Sequence, residues 1–344
     1  MTMTITRASL KAAGWDSELV VESAELAEPS RDWVTVRVEA CGVCYRDCID
    51  RAGRFKFMKL PVTPGHEAVG CVVAVGPDAT EWKVGDRVAS MHRDFCGTCD
   101  ACRAGETSLC IGAAAVLGLL IDGGYATAIS APQRCFYAVS DDLPAAHAAV
   151  LHCTFGTAFR GLKRFGELGD GDSVVITGAN GGVGSAAVQV AKRLGASVIA
   201  VVRDDRHRDY LSELGADHVI VDDGSTFHKK LPAMADVAMD CVGNPTFNAA
   251  LRSLKIGGRL VAVGNIVPER VELNLGYIIT RGIRIAGSSG ATRDDMANVQ
   301  DLHNAAPFEL SLHAELPLDR ADEAQRAVHA GGLRGRIVLV PELC

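Results

Sequence analysis

The sequence lacks an apolar run long enough to cross a bilayer. Its longest uncharged apolar stretch, Ile111 to Ile121, falls well short of the about 20 residues a spanning helix needs. It also lacks a surplus of positive charge. The 35 Lys and Arg residues stand against 42 Asp and Glu, net −7, which gives no electrostatic footing for nucleic acid. Residues Met1 to Trp15 carry Arg7 and Lys11 but no apolar core segment, so no signal peptide is expected. There is no internal repeat and no low-complexity tract. These absences predict a soluble, cytoplasmic protein with neither a membrane nor a nucleic-acid partner. What remains is ordinary globular composition, 48% apolar and 22% charged over 344 residues. At about 150 residues per domain, that length predicts two domains with sizeable cores.

Cysteine is abundant, with 12 in the chain. A disulfide scaffold fits badly, because the chain is long, no secretion signal is expected and the cysteines are bunched. Cys41, Cys44 and Cys48 form one group, and Cys96, Cys99, Cys102 and Cys110 another; Cys71, Cys135, Cys153, Cys241 and Cys344 are scattered. Four thiolates on one short lobe can close a tetrahedron around zinc and leave no position for a substrate. The second group is therefore expected to be a structural site. Gly97 and Gly105 relieve the crowded backbone there. An iron–sulfur cluster takes the same four thiolates and is the alternative.

Up to about Phe136 the chain is strand-rich and punctuated by glycine. Trp33 to Cys41 alternates as a half-buried strand does. Gly65 to Val75 is a second β-rich stretch, with Gly70 expected at a bulge or a close approach. Val84 to Val88 reads as a turn entering a strand. This half is predicted to be all-β and barrel-like. The texture changes near Ala145. A helical stretch, Ala145 to Arg164, interrupted at Gly156, leads to the buried strand Ser173 to Thr177, a glycine-rich turn and the helix Ser185 to Leu194. Strand Ser197 to Val202, helix Asp205 to Leu214, strands His218 to Val221 and Val237 to Asp240, helix Thr246 to Leu254 and strand Arg259 to Val263 follow. Such alternation predicts an α/β domain with a doubly wound parallel sheet. Helix Arg320 to His329 and strand Arg336 to Val340 complete the reading.

The turn Gly178-Ala179-Asn180-Gly181-Gly182-Val183-Gly184 lies between a strand and a helix. Bare amides at a helix N-terminus bind a pyrophosphate there, which predicts a dinucleotide site. An NAD site carries an acid at the tip of the second strand. Here that strand ends in Arg203, a partner for a 2′-phosphate, with Arg206 and Arg208 nearby. Asp204 and Asp205 would admit NAD if the register moved by one residue. Otherwise they are the cap and first turn of the next helix. The expected cofactor is NADP(H), with NAD as the alternative.

Cys41-Gly-Val-Cys44-Tyr-Arg-Asp47, Gly65-His66-Glu67, the four-cysteine lobe and Cys153 occur in one order. Together they resemble the zinc-containing branch of the medium-chain dehydrogenase/reductase superfamily, over essentially the whole chain. The resemblance implies a GroES-like β-rich catalytic domain, residues 1–153 and 292–344, and a Rossmann domain, residues 154–291. It implies two zinc ions per chain. Cys44, His66 and Cys153 match the catalytic ligands, and Cys96, Cys99, Cys102 and Cys110 the structural ones. Glu67 matches a carboxylate that approaches the metal during ligand exchange, and Asp47 an acid that orients a ligand imidazole. Gly264 and Asn265 match the loop beside the nicotinamide, and Arg336 a group that reaches the cofactor phosphates. A homodimer or homotetramer is implied. The remaining cysteines have no counterpart and read as small buried or idle thiols.

The chain departs from the alcohol dehydrogenases of this family at the proton path. Those enzymes place Ser or Thr two residues after the zinc-binding Cys, and often His three residues further on. Here the positions hold Arg46 and Ile49. Arginine stays charged and relays no proton. The Tyr45-Arg46-Asp47 run is similar to quinone reductases and acyl-CoA-linked ene-reductases. The stretches Gly243 to Phe247, Gly264-Asn265 and Leu275 to Ile278 are similar to zinc-containing acryloyl-CoA reductases. The expected activity on a small-molecule substrate is alcohol/carbonyl interconversion, with zinc as Lewis acid and the nicotinamide as hydride carrier. Reduction of a C=C bond conjugated to a carbonyl is the alternative. There, Tyr45 donates to the enolate and Arg46 steadies an anion. A non-catalytic NADPH-binding protein is a third class, against which the complete ligand set weighs.

Overall fold

A computed structural model describes residues 2–223, 225–266 and 269–341; the Cys344 thiol lies outside them. Among the described residues no helix is long and apolar enough to cross a membrane. The chain divides into two units, residues 1–153 with 312–344, and residues 154–311.

The first unit is built around strand Trp33–Val43, which pairs antiparallel with Glu67–Val75, Ala128–Pro132 and Arg336–Val340. Val34, Val36 and Val38 enter a core with Val72, Val88, Tyr125 and Phe136, as the alternation in the sequence predicts. Toward its end the strand is buried on both faces, and there it carries Cys41 and leads into Cys44. Gly70 is a close approach. It pairs with Val38, and a Cβ on it would lie 1.8 Å from the Arg37 carbonyl oxygen. The turn before strand Arg87–Ser90 passes through Gly85 at φ +95°, a conformation suited to glycine. An antiparallel pair, Thr2–Leu10 with Leu19–Ala27, adds two strands that the sequence reading did not include.

The second unit is a six-stranded parallel sheet in the order His218–Val221, Ser197–Val202, Ser173–Thr177, Ala235–Asp240, Leu254–Ala262, Arg284–Gly287. Numbered by sequence, that order is the 3-2-1-4-5-6 arrangement of a dinucleotide-binding sheet. The predicted alternation is thus present. Its core gathers Val175, Ile199, Val201, Phe227, Ala238 and Leu260.

Two differences from the sequence reading have local causes. The stretch from Ala145 does not break at Gly156. Helix Ala145–Leu151 runs into a π turn, His152–Gly156, with Gly156 itself helical at φ −60°. The return to the first unit falls at residue 312, whereas the resemblance places it at 292. Thr292 caps helix Arg293–Ala305 in a capping box with Asp295, and Asp295 accepts from Arg160 at 2.8 Å. Phe308 packs on Phe155 with ring centroids 4.5 Å apart. These contacts hold 292–311 within the second unit.

Candidate metal centres and dinucleotide site

Cys44 directly follows the central strand and caps helix Tyr45–Arg51. Its sulfur accepts from the Arg46 N–H, and its own N–H donates to Asp47 at 3.1 Å, so strand and helix are locked together at this residue. Asp47 reaches His66 Nδ1 at 2.9 Å with its other oxygen, and the Tyr125 hydroxyl donates to Asp47 at 2.9 Å. The Nδ1–H of His66 is thereby committed, which leaves the Nε2 lone pair for a metal. The His66 Nε2 lies 3.6 Å from Cys153 Sγ, and Cys44 Sγ lies 3.7 Å from Cys153 Sγ. Cys153 comes from the π turn, a distortion that often carries functional groups.

These spacings fit a shared zinc ion. Zn–S bonds of about 2.3 Å and Zn–N bonds of about 2.0–2.1 Å on a tetrahedron set S···S near about 3.8 Å and S···N near about 3.6 Å. Glu67 completes the group. Donor atoms of Cys44, His66, Glu67 and Cys153 all lie within 4.8 Å of one another. The set also collects positive charge. Burial and the Arg46 charge oppose a second proton on His66, yet Asp47 and Cys44 outweigh them and raise it to about 10. The hydrogen bond between the two thiols holds Cys44 well below the ordinary thiol range and pushes Cys153 up.

Arg336 donates to Glu67 at 2.8 Å and approaches Cys44 Sγ at 3.6 Å, buried beneath the cluster. Burial pushes Glu67 up to about 7 against the pull of Arg336. The sequence reading did not single out Gly42 or Tyr125. A Cβ on Gly42 would sit 2.3 Å from Glu67 Oε2, so only glycine leaves room for that carboxylate. The cue for Gly42 is its place between Cys41 and Cys44; Tyr125 carries no local cue. Tyr45 turns its ring toward His329, with centroids 6.2 Å apart. Arg46 donates to the Leu117 carbonyl at 2.8 Å and pairs with Asp50 at 3.0 Å.

The second metal set is Cys96, Cys99, Cys102 and Cys110, again within 4.8 Å. The backbone N–H groups of Thr98 and Cys99 point at Cys96 Sγ, and that of Cys96 at Cys110 Sγ. Amide donors of this kind stabilise thiolates. All four donors are protein sulfur, which suits a closed structural site.

In the second unit, Gly178 follows strand Ser173–Thr177 at φ +58°, and Gly181 caps helix Gly182–Arg193. A Cβ on Gly184 would sit 2.2 Å from the Gly178 carbonyl oxygen, so the helix packs directly on the turn. Asn180 lies in the turn, and Gly182 and Val183 are the first two helical positions, whose amides have no intrahelical acceptor. Asp240 was not singled out from the sequence. It accepts from Thr177 and Thr246, each at 2.5 Å, and from the Gly243 N–H at 3.2 Å. It ties the ends of two adjacent strands together beneath the turn. Gly264 packs on Cys241, where a Cβ would meet its carbonyl oxygen at 1.9 Å, and Asn265 lies against Gly243.

Past the second strand, Arg203 is exposed and makes no ion pair among the described residues. Asp204 caps the next turn and pairs with Arg206 at 2.8 Å. Asp205 pairs with Arg208 at 2.6 Å. Both acids and two of the three arginines are thus engaged locally.

Residues 30–141 match the alcohol dehydrogenase GroES-like domain family, and residues 182–305 match the zinc-binding dehydrogenase family. An acryloyl-coenzyme A reductase from Sulfurisphaera tokodaii is 34% identical over 320 residues, covering 91% of this chain and 94% of that protein. An alcohol dehydrogenase from Geobacillus stearothermophilus is 34% identical over 328 residues, covering 93% and 96%. The crystal structure of AibC superposes with a TM-score of 0.92 at 37% identity, covering 99% of this chain and 96% of that one. With both halves matched and relatives of this identity aligned along nearly its whole length, the chain belongs to the zinc-containing medium-chain dehydrogenase/reductase superfamily and is an oxidoreductase.

Proposed function

We propose that the protein interconverts an alcohol and an aldehyde or ketone, using zinc and NADP(H). The observation that carries this reading is the Cys44, His66 and Cys153 donor set at tetrahedral spacing. Three protein ligands and one replaceable position make a catalytic rather than a structural site. What the bound groups supply is a Lewis acid for the carbonyl oxygen and a hydride for its carbon.

The chain's own residues do the rest. Asp47 fixes the His66 tautomer, and Tyr125 fixes Asp47. Arg336 holds Glu67 by its Oε1. The Gly178–Gly184 turn offers amides to the pyrophosphate. The free guanidinium of Arg203 suits a 2′-phosphate, and the engagement of Asp204 and Asp205 removes the acids that would favour NAD.

A second reading is supported by Arg46. Its Nε is buried without a hydrogen-bond partner among the described residues, and it lies two residues from Cys44. An anion formed on reducing a conjugated C=C bond is what such a group would steady. One panel separates the two. Purified protein and NADPH are offered a simple aldehyde, an enone and an acryloyl-type thioester. Carbonyl turnover supports the first reading, and NADPH oxidation with the unsaturated thioester alone overturns it. Cys153→Ala is expected to abolish turnover and remove one of two zinc equivalents. Retained turnover with two zinc ions refutes the ligand assignment.

A further inference from the structure

Hydride transfer leaves a negative charge on an alkoxide oxygen or an enolate, and that charge needs one proton. In the segment after Cys44, the Tyr45 ring turns toward His329. Arg46 is committed to Leu117 and Asp50, and position 49 is isoleucine.

His92 is fastened to the same neighbourhood from three sides. The Leu117 N–H donates to the His92 carbonyl at 3.0 Å, and the Leu117 carbonyl accepts Arg46. The His92 ring stacks on that of His152 at 5.8 Å and 30°, and His152 precedes Cys153 in the π turn. His92 also follows strand Arg87–Ser90, whose Ser90 hydroxyl donates to the His66 carbonyl at 2.8 Å.

Tyr137, opposite Ala89 on the neighbouring strand, backs His152 with ring centroids 6.2 Å apart. The His92 ring is half-buried and, among the described residues, its nitrogens make no hydrogen bond. Burial, and then the charges of His152, Arg46 and His66, hold it well below the ordinary histidine range. A neutral imidazole carries one N–H and one lone pair.

We propose that His92 is the proton relay of this enzyme. It gives its ring N–H proton to the atom left negative by hydride transfer and takes one proton from solvent water at its other nitrogen. One proton enters as one leaves, and no oxidant or reductant is involved. The inference rests on the hydride-transfer reading above, but not on which bond is reduced.

The test uses the full-length, zinc-loaded protein, NADPH and the acceptor of the panel that the wild type turns over fastest. Single-turnover NADPH oxidation by His92→Ala is expected to fall by about 100-fold, within the usual range for a lost proton-transfer group. NADPH affinity and zinc content stay unchanged. Added imidazole restores the rate of His92→Ala. His92→Gln offers a hydrogen bond but passes no proton, so it stays slow. A purely structural histidine would not respond to imidazole. A His92→Ala rate within about twofold of wild type overturns the relay, as does a loss that imidazole leaves unchanged. If the wild type turns over no acceptor, the hydride-transfer reading fails first and takes the relay with it, before any variant is made.

Discussion

Asp47 carries three jobs on one carboxylate: it caps its own helix through the Cys44 N–H, orients His66 and receives Tyr125. A charge-assisted hydrogen bond of this kind contributes about 1.5–3 kcal/mol. Partners of metal-bound histidines typically matter about 10–100-fold for metal affinity. Asp47→Ala is therefore expected to weaken zinc at the Cys44 cluster by that factor and leave the four-cysteine lobe loaded. Competition with a chromogenic chelator measures both sites. Arg203 gives a second prediction at this scale. Arg203→Ala is expected to weaken NADPH by about 1–3 kcal/mol and leave NADH nearly unchanged, read by fluorescence titration. An equal loss for both cofactors would remove the 2′-phosphate assignment.

At the scale of elements, backbone constraints set by side chains dominate. Helix Gly182–Arg193 touches the turn it follows, where a Cβ on Gly184 would lie 2.2 Å from the Gly178 carbonyl oxygen. Gly184→Val forces helix and strand apart. It is expected to abolish NADPH binding and lower the thermal midpoint by several degrees, of the order that a few kcal/mol produces. The four-cysteine lobe has a sulfur cluster where other elements have a core. Its helix Asp100–Arg103 is one short turn with no buried residue, and its order comes from the sulfur cluster and the amides aimed at it. Cys99→Ser is expected to lose one zinc equivalent and to speed proteolysis between residues 96 and 110, while the Cys44 cluster keeps its metal. Mass spectrometry of the released peptides locates the cuts.

At the scale of the whole molecule, the two kinds of site belong to units with separate cores. The metal donors all lie within residues 1–153 and 312–344, and the glycine turn, Asp240 and Arg203 within 154–311. Stripping both metals with a chelator is therefore expected to abolish turnover and lower the thermal midpoint, yet to leave NADPH affinity within about twofold, since the cradle uses backbone amides and an arginine. Loss of NADPH binding on metal removal would show that the units do not hold their sites independently.

Much of this was legible along the chain. The parallel α/β alternation, the four-cysteine lobe and the glycine turn are short-range patterns. Each places its chemistry within one strand, turn or helix, where backbone geometry is set by near neighbours. The Cys44 cluster is different in kind. Cys44 and Cys153 stand 109 residues apart, and only strand pairing and the π turn bring their sulfurs together. The family resemblance named the candidate ligands; spacing alone did not. Likewise, no local signal puts Arg336 on Glu67, Tyr125 on Asp47 or His92 beside His152. Those contacts come from the antiparallel pairing of strand ends and from packing of buried side chains. The sequence by itself determined the two architectures, the four-cysteine lobe and the glycine turn. Tertiary structure alone decided which distant side chains lie within reach of one another, because burial and strand register act across the fold and leave no periodic trace in the order of residues.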